Sequence, residues 1–156
     1  VIAMRRLLLR FARNRSGASA VELAVAAPVL TVMIMATWDL SRGFSARLDL
    51  EEAAGRAAEL ATAYGSVRTD YNTLRAEAVA AATASGIASP AAVVDAWLEC
   101  DAARQSPGTQ ICAGNAAFAR YVSVRVTGTY VPFFTVGGMV AGSGFPLSGQ
   151  ATVRIQ

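Results

Sequence analysis

From Ala18 to Trp38 the chain runs through 21 positions with a single charged residue, Glu22. As an α-helix, a run of this length rises about 31 Å, close to the hydrocarbon thickness of a bilayer. Lipid offers the backbone no hydrogen-bond partners, so a single segment that crosses it must be helical. Five arginines (Arg5, Arg6, Arg10, Arg13 and Arg15) and no acid precede the run. Arginines tend to stay on the cytoplasmic side, so the expected order is a basic cytoplasmic leader over 1–17, a transmembrane helix over 18–38, and everything after Asp39 outside. Trp38 and Asp39 mark the outer interface in this reading, as interfacial aromatics often do. A cleaved secretory signal is the rival, but the run is longer than a typical signal core and has no clear small-residue cleavage site at its far end.

The remaining charge narrows the function. The chain carries a net +3, yet after Gly17 nine arginines face eleven acids, a balance of about −2. That leaves no basic stripe for a phosphate backbone, so nucleic acid is not an expected partner. There is no histidine, which removes the commonest general base and zinc ligand. No enzyme, metal or cofactor is expected. Asp95, Glu99 and Asp101 lie near one another in sequence but lack an oxygen-ligand loop pattern, so they read as a solvated face. Cys100 has no base to activate it as a nucleophile. In a chain exported across a membrane, Cys100 and Cys112 are more naturally a disulfide.

Beyond the apolar run the helical pattern continues. Leu50, Ala54, Ala57, Ala61 and Tyr64 recur at spacings of four and three, and Arg47 with Glu51 and Glu52 with Arg56 place opposite charges one turn apart. This predicts an amphipathic extension over 39–64 capped by Gly65. Its stripe reads as a core-facing surface in preference to a seam between subunits. Residues 65–156 are expected to form a small α+β domain. Asp70 opens a second helical pattern with Tyr71, Leu74, Ala78 and Ala81 on one face, and Gly86 ends it.

After Pro90 the residues alternate, Val94, Ala96, Leu98 and Cys100 against Asp95, Trp97 and Glu99, as in a strand. A short helix capped by Ser89 competes with that reading. Residues 101–117 read as a loop turning at Ser106-Pro107-Gly108. The clearest strand is YVSVRVTGTYV, with Val122, Val124, Val126 and Tyr130 on the buried side and Ser123, Arg125, Thr127 and Thr129 on the wet side. Pro132 ends it. LSGQATVRIQ alternates again, with Ala151, Val153 and Ile155 inward and Thr152 and Arg154 outward. The two terminal strands are expected to pair antiparallel and lay one apolar face on the helices.

A lone carboxylate four residues into an apolar run calls for a reason, because an acid at a helix centre costs about 2.5 to 3.5 kcal/mol on the translocon scale and less near the interface. Gly17 followed by Ala18-Ser19-Ala20-Val21 and Glu22 resembles the prepilin-peptidase signal of type IV pilins and pseudopilins. The wider segment, SGASAVELAVAAPVL followed by WDLSRGF, resembles the TadE-like proteins, minor pseudopilins of tight-adherence (Flp) pilus systems. Leu23 stands where that family usually has an aromatic, and Asp39 where glutamate is commoner.

The resemblance implies cleavage between Gly17 and Ala18 and an assembly role for Glu22, which the new α-amine at Ala18 can partner. It implies the same for Pro28, which leaves the Ala24 carbonyl without its helical donor and loosens the helix. It further implies a single-pass inner-membrane protein with a cytoplasmic N-terminus and a periplasmic domain, available for incorporation into a pilus. The implied partners are other pilin or pseudopilin subunits, a prepilin peptidase and a pilus assembly platform. A membrane-tethered binding or adhesion module, with Phe133, Phe134, Val136 and Met139 as its exposed site, is the alternative function.

Overall fold

The computed structural model describes residues 17–68, 71–106, 111–114, 116–133 and 144–156. The leader therefore falls outside the described residues, apart from Gly17, and so do Asp70, Pro107, Gly108, Phe134, Val136 and Met139. Two helices, α1 (Ala18–Arg68) and α2 (Tyr71–Ala84), precede four strands: β1 (Ala88–Cys100), β2 (Ala103–Arg104), β3 (Phe118–Tyr130) and β4 (Phe145–Arg154). The class is α+β, as expected. The chain divides into two compact units, one ending at Leu40 and one running from Ser41 to Gln156.

Within the second unit the strands form one antiparallel sheet in the order β2-β1-β3-β4. β3 is central because it alternates β-branched valines with polar residues, which suits a strand covered on one side. Val122, Val124 and Val126 are fully buried. They meet Leu50, Ala53, Ala54, Ala57 and Ala61 of α1 and Leu74, Ala78 and Ala82 of α2 in a single core. β4 contributes Leu147, Ala151 and Val153, and Ile155 follows just beyond it.

The alanine stripe of α1 lets helix and sheet approach closely, and Gly149 completes the fit. A Cβ at Gly149 would lie under 3.0 Å from the Leu50 carbonyl group and the Glu51 amide nitrogen. Gly43 plays a milder part: its added Cβ would touch the Tyr130 ring at 3.4 Å.

Helix ends follow local chemistry. Gly65 takes φ 66° and breaks the regular helix, as expected of a glycine that relieves the left-handed penalty. α2 closes in a Schellman turn, with Gly86 N donating to Thr83 O and Ile87 N to Ala82 O, while Gly86 adopts φ 78°.

Several expectations are corrected. Tyr64 is exposed and leaves the buried stripe, which stops at Ala61. On α2, Tyr71 is exposed and Ala82 takes the fully buried place assigned to Ala81. The segment after Pro90 is the strand that its alternation predicts, and it begins earlier, at Ala88, with a register shift before Ala91. Pro90 is tolerated because, among the described residues, no strand pairs with that end of β1 on its outer side. Ala96 faces solvent although it alternates in phase with Val94 and Leu98. The 101–117 loop contains β2, which pairs Glu99 with Arg104 and Cys100 with Ala103. Ser123, placed on the wet face, is only 7% exposed.

Candidate membrane and assembly segment

The first unit is α1 up to Leu40. Its side chains are a continuous apolar surface: Val21, Leu23, Val25, Val29, Leu30, Val32, Met33 and Ile34 are all more than half exposed. No protein layer covers the most apolar stretch of this helix. Among the described residues this is the one helix long and apolar enough to cross a membrane. An uncovered surface of this size is unstable in water and stable in lipid.

Glu22 sits in that surface, in a shallow concavity also lined by Val21, Val25, Ala26, Val29 and Leu30. Val25, Ala26 and Val29 follow it at helical spacings of three, four and seven, so carboxylate and aliphatic residues share one face. Among the described residues no side chain pairs with Glu22. A partner for it must come from outside this helix face.

Pro28 lies inside α1, one turn after Ala24, whose carbonyl lacks the usual amide donor. Two threonines were not singled out from the sequence. Thr31 Oγ1 donates to Ala27 O at 2.8 Å, and Thr37 Oγ1 donates to Met33 O at 2.8 Å. Each hydroxyl is thereby satisfied on its own helix, which removes the penalty for placing it in hydrocarbon. The readable signal was a threonine four residues after a helical carbonyl in an apolar run.

Gly17 stands immediately before α1, exposed, with nothing within 4 Å of where a Cβ would be. The Gly17–Ala18 bond thus joins a non-α-helical residue to the first helical one. Trp38 at the far end is 62% exposed.

Among its described residues the second unit holds no comparable chemistry. Cys100, at the end of β1, is joined to Cys112 with a Cα–Cα distance of 5.7 Å, within the usual disulfide range. The three carboxylates near it each have a partner. Asp95 Oδ2 accepts from Arg104 Nη2 at 2.8 Å, Glu99 Oε1 from Trp97 Nε1 at 2.9 Å, and Asp101 Oδ1 from the Ala117 amide at 2.9 Å. Trp97 stacks on Tyr121 at 5.4 Å between ring centres, and the Arg104 guanidinium sits 4.5 Å over the Trp97 ring. This Arg-Trp-Tyr ladder organises the outer sheet face, and cross-strand pairing, invisible before register is known, created it. Phe133, from the alternative adhesive site, is 76% exposed.

Among the described residues, one uncovered apolar helix together with a small antiparallel α+β unit suggests a class, the single-pass membrane proteins. Residues 17–59 match the model of the TadE-like protein family, so the segment holding Gly17, Glu22 and Pro28 is similar to that family. Neither a curated protein nor a solved structure matches the chain.

Proposed function

We propose that this protein is a non-catalytic minor pilin or pseudopilin subunit of a tight-adherence (Flp-type) pilus system, acting in its assembly and in surface attachment. The observation that carries the reading is the TadE-like match over residues 17–59, which covers an unpaired carboxylate on an otherwise apolar, uncovered helix. A plain anchor needs the apolar run and has no use for Glu22.

In this reading a prepilin peptidase cuts after Gly17, and the α-amine of Ala18 becomes a cation at the membrane boundary. Glu22 then pairs with such an amine, on its own or a neighbouring subunit, and sets register. A buried ion pair of that kind serves specificity more than stability. Pro28 loosens the helix where the subunit must exchange lipid neighbours for protein ones. The helix crosses the inner membrane with the arginine-rich end in the cytoplasm and the disulfide-bonded head in the periplasm.

Mass spectrometry of the native protein should show a new N-terminus at Ala18, lost in Gly17→Ala or without the peptidase. Glu22→Ala should remain in the membrane and be processed, yet fail to support piliation. Normal piliation in that variant sinks the assembly role. Exposure of Phe133 favours the second reading, a membrane-tethered adhesion module. Retention of the leader together with full attachment would select it.

A further inference from the structure

The outer face of α1 in the second unit carries an unused pattern. Phe44 is 62% exposed and Leu48 48% exposed, although both lie beyond the apolar run and on the side of the helix away from Leu50, Ala54, Ala57 and Ala61, which fill the core. Gly55 lies on the same side, eleven residues or three turns after Phe44. A mid-helix glycine costs about 1 kcal/mol relative to alanine, and the fold of this chain gives no reason for it, because a Cβ at Gly55 would meet nothing within 4 Å.

Phe44, Leu48, Glu51 and Gly55 are spaced four, three and four, the repeat of a two-helix seam. In that frame Arg47 and Glu52 flank the seam at the positions that face each other across a parallel pair, five residues apart and opposite in charge. Each now bonds along its own helix, Arg47 to Glu51 and Glu52 to Arg56, with all four side chains exposed and free to exchange partners. Copies of a single-pass protein enter the membrane in the same orientation, which makes a parallel pairing the default.

The geometry points to a second copy of this chain as the occupant: a parallel homodimer in which Phe44 and Leu48 pack across the axis, Gly55 admits close backbone approach, and Arg47 of each chain pairs with Glu52 of the other. Glu51 also falls in the seam, and once Arg47 turns to the partner's Glu52 its half-exposed side chain extends to the solvated rim. This inference rests on the single-pass reading and is independent of the pilus.

The test is cysteine cross-linking of the full-length protein in membranes from cells without pilus machinery, with the bonded Cys100 and Cys112 silent. Leu48→Cys and Gly55→Cys should give at least about fivefold more disulfide-linked dimer than Ser45→Cys and Arg56→Cys, since a disulfide requires Cβ atoms roughly 4 Å apart. In the Leu48→Cys background, Glu52→Arg should lower the dimer yield several-fold, and adding Arg47→Glu should restore it. An intact Cys100–Cys112 bond and unchanged protease resistance establish that each variant is folded. Even yields at the four positions, no dimer, adducts to a different protein, or a charge swap that fails to restore pairing overturns the proposal. Because no pilus is present, such a failure is distinct from a failure of the Glu22 piliation test.

Discussion

Gly149 of β4 abuts the backbone of α1 at Leu50, so closely that a single added methyl group would lie under 3.0 Å from the Leu50 carbonyl. The neighbour is helix backbone, which has no rotamer to give. Gly149→Ala should therefore destabilise the head by about 1–3 kcal/mol, the usual cost of overpacking. Thermal unfolding followed by circular dichroism measures it, and a Tm equal to wild type would mean that sheet and helix are not in this contact.

Leu74 is the one large side chain that α2 buries completely, set beside Ala78 and Ala82. Its truncation leaves a cavity the surrounding alanines are too short to fill. Leu74→Ala should cost about 2–5 kcal/mol by denaturant titration, several times the effect of Tyr71→Ala on the exposed side of the same helix.

The disulfide spans a sequence separation of 12. Replacing both cysteines by serine should lower stability by about 3 kcal/mol in the chain-entropy model. Reduction of the wild-type protein should reproduce the loss, and the double variant should show no further response to reductant.

Ser123 is buried on the outer sheet face, where its Oγ accepts from Gln150 Nε2 at 3.0 Å and from Thr152 Oγ1 at 3.1 Å. Gln150 Oε1 in turn accepts from Arg125. Ser123→Ala should cost about 1 kcal/mol, and a double-mutant cycle with Gln150→Ala should show coupling between the two positions.

The ion pairs of α1 are solvent-exposed at both ends, 60% with 44% for Arg47 and Glu51 and 60% with 62% for Arg56 and Glu52. Glu52→Ala should shift unfolding by less than about 0.5 kcal/mol, with the difference vanishing in high salt.

The sequence alone determined the features that depend on local pattern. The apolar run specifies one long apolar helix of membrane-crossing length because length and polarity are properties of contiguous residues. Alternation in 122–126 specifies β3, and Gly65 interrupts a helix and Gly86 ends one because only backbone conformation is at issue there. The Gly17, Glu22 and Pro28 pattern was readable for the same reason, since it is carried by spacing along one chain segment.

Tertiary structure decided what depends on residues brought from afar. Whether Ser89 caps a helix or β1 runs through it depends on pairing with β3, and the local alternation, though strand-like, left the helix as a competitor. Ser123 became buried because Gln150 and Thr152 arrive beside it from β4. Gly149 is a glycine because Leu50, nearly a hundred residues earlier, brings helix backbone into the space where its side chain would have been.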